Sequence, residues 1–172
     1  MSEYPLATME PKEQALRYQV QSWLMEEGWS VAEAEGEDAA WALVCRDLQG
    51  RTVIVAQKQN RPDQVIMNAR VVPSPIHAQA IAAMERKARL DFSDDLGMSL
   101  LGMGVEFGFE SENLEGIVIG ERIYADALTK DEFLQRVSRV RSSVMFVIAK
   151  ILRTFGRESL GPEEPQIGFR TD

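Results

Sequence analysis

The chain has 172 residues, the size of one domain, and its 45% hydrophobic and 27% charged residues are the balance of a globular protein. A net charge of −8 and a pI near 4.8 argue against a general nucleic-acid binder, which needs basic surface for phosphate contacts. One cysteine, Cys45, excludes an internal disulfide, and one histidine, His77, excludes a His-pair metal site and leaves little room for triad chemistry.

Residues 1–9 read as a flexible lead-in. They lack the basic start and apolar stretch of a signal peptide. A helix is predicted from about Glu10 to Glu27, with Pro11 in the first turn and Gly28 as a left-handed stop. Leu16, Val20, Trp23 and Leu24 give it an apolar stripe. Four strands follow. Trp29 and Val31 begin the first, and Trp41, Leu43 and Cys45 alternate in the second. Val53 and Val55 alternate in the third, with Ile54 and Ala56 on its other face, and Val65, Met67, Ala69 and Val71 alternate in the fourth. The breaks are turn-like: Gly36-Glu37-Asp38, Asp47 to Gly50, and Gln59 to Asp63. Connections this short require an antiparallel meander.

A second helix starts at Ser74 and Pro75, carries Ile81, Met84 and Ala88 on one side, and is expected to fray within Arg89 to Gly97. A hairpin is next. Met103, Val105, Phe107 and Phe109 alternate with Gly104, Glu106, Gly108 and Glu110, and Ile117, Ile119 and Ile123 return. The last helix has the clearest start, a capping box of Thr129 and Glu132 with a staple of Leu128 and Phe133. It runs to about Phe155, with Gly156 as its stop. Between Val144 and Leu152 it is apolar nearly all round, so it needs cover from the sheet and from a second source, the first helix or another subunit. Residues 157–172 read as a disordered tail in which Ile167 and Phe169 could dock. The longest apolar run, Val144 to Ala149, is far short of a membrane span of about 20 residues. The expectation is one α+β domain over 10–156, cytoplasmic, with no membrane contact and no nucleic acid.

The order helix, antiparallel meander, helix, hairpin, long C-terminal helix resembles the type III secretion chaperone-like fold, and within it the YbjN-like and related bacterial families. The resemblance is carried by the acidic chain, Trp23, Leu24, Gly28 and Trp29, the stretch Val53 to Gln57, the Pro73-Ser74-Pro75 entry, and Tyr124-Ala125-Asp126 leading to Thr129-Lys130-Asp131-Glu132-Phe133. It implies a non-enzymatic homodimer, without catalytic residues, that clamps an extended or amphipathic segment of a partner protein.

Chemistry-bearing residues are sparse. His77 lacks an identifiable acid or nucleophile, and Cys45 on an apolar strand face reads as structural. Glu106 and Glu110 read as a solvated face rather than a carboxylate pair. Asp91, Asp94 and Asp95 lack calcium-loop spacing, and Gly102, Gly104 and Gly108 lack phosphate-loop spacing. Arg136, Arg139, Arg141, Lys150, Arg153 and Arg157 frame the last helix. No metal and no cofactor is expected. The methionines are the compositional hint toward binding, with Met98 and Met103 placed for exposure. The expected function is a chaperone-like protein-binding module contacting its partner through Leu16, Val20, Trp23, Val65, Met67, Met98 and Met103. The alternative is a small-molecule or regulatory ligand domain with a pocket between the sheet and the last helix.

Overall fold

A computed structural model describes residues 11–36 and 38–156. Helix α1 (Pro11–Glu26) closes on Gly28, whose φ of +80° lets the Trp29 amide turn back to the Leu24 carbonyl at 3.0 Å. The expected lead-in, the Glu10 helix start, Glu37 of the first turn, and the tail with Ile167 and Phe169 lie outside the described residues.

The meander is present as β1 (Ser30–Ala34), β2 (Ala39–Arg46), β3 (Thr52–Lys58) and β4 (Arg61–Val71), each antiparallel to the next. Helices α2 (Pro75–Ala83) and α3 (Arg86–Gly102) follow, then β5 (Glu106–Phe109), β6 (Ile117–Tyr124), a 3₁₀ turn at Ala125–Ala127, and α4 (Lys130–Phe155). The sheet order is β1-β2-β3-β4-β6-β5. The returning strand of the last hairpin therefore pairs with β4, and β5 forms the outer edge. The architecture is α+β, a six-stranded antiparallel sheet with its helices packed on one face.

The alternating apolar positions explain that packing. Trp41, Leu43 and Cys45, Val53 and Val55, Val65 through Val71, and Ile117, Ile119 and Ile123 all point to one side, where they are buried with Val20 and Leu24 of α1. Helix α4 lays Val137, Val140, Val144, Val147 and Ile151 across β3, β4 and β6. Each such side chain contributes about 1.5–3 kcal/mol by leaving water. The apolar stretch after Val144 finds cover within the chain from α2 and α3, with Asp95 on Lys150 and Phe92 against Phe155, while α1 meets the start of α4 at Phe133.

Two expectations are corrected. The second helix is two helices. Met84 and Glu85 are extended, with ψ of 145° and 140°, and the Arg89 guanidinium satisfies the orphaned Ala82 and Met84 carbonyls at the break. Beyond it the chain does not fray. It forms α3, which buries Phe92, Leu96 and Leu100 at helical spacing, while Ala88, expected to share a face with Ile81, is exposed. The strand expected from Met103 begins only at Glu106. Met103 caps α3, and Gly104, at φ +73°, turns the chain out of the helix.

Candidate functional site

Strand alternation leaves a second face to the sheet. Ala42, Ile54 and Ala56 form a separate buried cluster there, with Ala34, Ala39, Val44 and Ile66 packed around it. All of these residues lie in β1–β4, and no described helix contributes a side chain to the cluster. The register rows build it: Ala34 faces Ala42, Ala42 faces Ala56, and Ala56 faces Ile66 across four strands. An antiparallel sheet exposed to water on this side should be polar there. Its β1–β4 half is instead apolar.

The β4–β6–β5 half of the same face is charged. Arg122 of β6 bonds Glu106 of β5, with its Nε at 2.7 Å, and Arg70 of β4 bonds Glu110, with its Nε at 2.6 Å. Where the two halves meet, a shallow cleft of ≈ 290 Å³ is lined by Lys58, Gln64, Ile66 and Asn68 together with the Glu106–Arg122 pair. Two further charged residues at its rim are engaged elsewhere. Arg61 is forked onto Asp63 at 3.0 and 3.1 Å, which holds the Asp63 carboxyl below the usual carboxylate range. Glu121 lies on the helix-facing side of β6, where it accepts from Arg136 at 2.9 Å and Arg139 at 2.8 Å. Lys58 is exposed and has no ion pair among the described residues. Gln64 is only 5% exposed, and its Nε2 is sealed from solvent without an acceptor.

The residues chosen from the sequence as partner contacts are distributed otherwise. Val20, Val65 and Met67 are fully buried in the core and present no surface. Leu16 and Trp23 pack on that core, Trp23 with its ring 5.9 Å from Phe133, and Met103 is half-buried, with the Ser143 hydroxyl against its sulfur. Met98 is exposed, on the outer side of α3. The periodicity that singled these residues out marks apolar stripes, and most of those stripes face the core. The interface between sheet and α4, where a ligand pocket was the alternative, is occupied by core side chains.

The other singled-out groups have structural partners. His77 is buried, with Nδ1 2.8 Å from Ser74 Oγ and Nε2 3.4 Å from the Gly156 carbonyl, so it ties the start of α2 to the end of α4. Burial pushes the Cys45 thiol up to about 12. Asp95 is paired with Lys150, and Arg141 with Asp47 at 4.0 Å. Among the described residues, no group of three or more His, Cys, Asp or Glu is placed to hold a metal ion. No described helix is long and apolar enough to cross a membrane.

Reading the sequence missed Lys58, Gln64, Ile66, Asn68 and Arg122. One signal was available: β2 and β3 are apolar at both odd and even positions, from Ala42 and Val44 to Ile54 and Ala56, whereas a half-solvated strand alternates.

The model of a family described as "Uncharacterized conserved protein (DUF2299)" matches residues 16–151, and the chain belongs to that family. The match does not support the secretion chaperone-like or YbjN-like identity that the order of elements resembles, because element order carries a fold and not an identity. Among solved structures, a crystal structure of an uncharacterized protein from Methanothermobacter thermautotrophicus is similar, with a TM-score of 0.76 at 24% identity over 81% of this chain and 99% of that one. At that identity the likeness shows the fold alone. No curated protein matches the chain.

Proposed function

We propose that this member of the DUF2299 family is a non-enzymatic, chaperone-like binding module that holds an extended or amphipathic segment of another protein on the helix-free face of its sheet. The observation that supports this reading is the second apolar cluster, Ala42, Ile54 and Ala56 with Val44 and Ile66, which no described helix caps. Ala42, Ile54 and Ala56 are themselves only 6–7% exposed, so the surface available to a partner is the half-buried rim of Ala34, Ala39, Val44 and Ile66 around them, and contiguous apolar surface of this kind marks interaction sites. The small side chains keep the floor shallow, so it fits a row of side chains from a docked segment better than an enclosed ligand. The adjoining cleft of ≈ 290 Å³ lies at or below the lower end of small-molecule pockets, roughly 300–1,000 Å³.

The test is a displayed library of random peptides about twelve residues long, selected in parallel against the wild-type chain and Ile66→Glu. A charge at Ile66 sits in the patch but outside the main core, and circular dichroism and thermal melting check that the variant is folded. The expected outcome is a peptide set enriched on the wild type and lost on the variant. Sets that do not differ would overturn the reading. So would a sedimentation-equilibrium dimer that Ile66→Glu dissociates, since a second copy of the chain would then occupy the face.

A further inference from the structure

We propose that the cleft beside Lys58 takes a carboxylate carried by the docked segment, so that the partner of this face is an acidic and apolar stretch of protein. The proposal deepens the docking reading and rests on it.

Charge distribution is the first observation. The whole chain carries −8, yet alternation places Arg46, Lys58, Arg70 and Arg122 on the helix-free face, with Arg61 at the cleft, against Glu106, Glu110 and, at the cleft rim, Asp63 and Glu121. The face is locally basic on an acidic protein. These carboxylates are already bound, Glu106 to Arg122, Glu110 to Arg70, Asp63 to Arg61, and Glu121 to Arg136 and Arg139 of α4. Positive potential there is therefore presented to a partner, and complementary charge steers a partner to it while the acidic remainder repels misplacement.

The second observation is the unfilled bonding at the cleft itself. Lys58 supplies an ammonium without a described counter-ion. Gln64, 95% buried, supplies an amide nitrogen without an acceptor. A buried donor left without a partner costs about 1–3 kcal/mol, a cost that an anionic oxygen at the cleft relieves when the Gln64 side chain, otherwise sealed from solvent, turns out to meet it. A carboxylate is acceptor-only and has two oxygens, so it can take one bond from each group. Its methylenes would lie on Ile66, at the seam between the charged and apolar halves. Nucleic acid fits less well. Tyr124 is the sole aromatic among the described strand residues on this face, whereas single-stranded nucleic acid binds on stacked aromatics in a continuous basic groove.

The test is a ¹H–¹⁵N titration of the full chain with N-acetyl-glutamate methylamide, its glutamine isostere and inorganic phosphate as three separate probes. The expected result is a saturable shift of the Gln64 side-chain amide with the glutamate probe alone, weakened at least fivefold in Lys58→Met, an exposed position whose replacement leaves the core intact. Equal response to the glutamine probe, equal or tighter binding of phosphate, or no effect of Lys58→Met would overturn the proposal. Absence of glutamate binding while the peptides selected above are still lost on Ile66→Glu overturns this proposal and leaves the docking reading standing. Glutamate binding with no peptide dependent on Ile66 overturns the docking reading, and the acidic-segment assignment with it.

Discussion

Cys45 is fully buried on the helix-facing side of β2, and removing it from water disfavours its thiolate enough to push the thiol from 9.0 to about 12. Dithionitrobenzoate at pH 8 should therefore leave the native chain unmodified and react once denaturant is added. Linkage gives a sign as well. A thiol raised in the folded state stabilises fully below pH 9 and loses that contribution as pH climbs from 9 toward about 12, because only the unfolded chain ionises in that window. Denaturation midpoints for wild type and Cys45→Ala should diverge below pH 9 and converge above it. Glu121 is the opposite case, a carboxylate on the same side of β6 as Ile119 and Ile123. Its side chain is 4% exposed, and Arg136 and Arg139 are its partners. Glu121→Ala should cost about 3 kcal/mol by urea titration, the low end for breaking a buried pair, since both arginines retain access to water. The sequence showed Glu121 in phase with the isoleucines, but the two arginines lie on another element, so the pairing was not legible from β6 alone.

Elements were legible where their signals are local. Thr129 does accept the Glu132 amide at 3.3 Å, and Leu128 flanks the buried Phe133, as the capping box and staple imply. Thr129→Ala should lower stability by about 1 kcal/mol in thermal melts. The separate start of α3 was not legible because its break is made by a side-chain contact and not by a breaker residue. No proline or glycine separates Ala83 from Arg86, and the break is held by a side chain from the following helix, Arg89. Its run of Ser93, Asp94 and Asp95 masked the buried Phe92, Leu96 and Leu100. Gly97 is in that helix for clearance. A Cβ there would meet Phe107 at 3.1 Å. Gly97→Leu should separate α3 from β5 at a cost of about 1–3 kcal/mol, read as faster hydrogen exchange across Glu106–Phe109.

At the scale of the molecule, the two faces of one sheet carry different duties, and adjacent residues report on them. Val65 is fully buried under α4, and Ile66 belongs to the helix-free cluster. Val65→Glu should prevent folding, and Ile66→Glu should leave the melting transition cooperative and close to wild type while removing peptide binding. The helix-facing half of this plan could be read from periodicity, since one buried face needs only a period of two. The apolar part of the other half left a signal in β2 and β3, but the seam where it meets the charged part could not be read, because that depends on which strands lie side by side. Lys58, Ile66 and Arg122 meet only because β6 inserts next to β4, and nothing in the spacing of the hairpin dictates that order.

The same insertion has a consequence for how the chain is made. The meander ends at Val71, but the strand that completes its edge ends at Tyr124, about fifty residues later. At ribosomal rates of roughly 5–20 residues per second, β4 waits about 3–10 s with one side of its backbone unpaired. During that interval the nascent chain also lacks α4, so Val65, Met67 and Ala69 are uncovered along an open edge. Birth, rather than maturity, is then the stage at which this protein is most exposed to aggregation, and slowing synthesis after Val71 should lower its soluble yield.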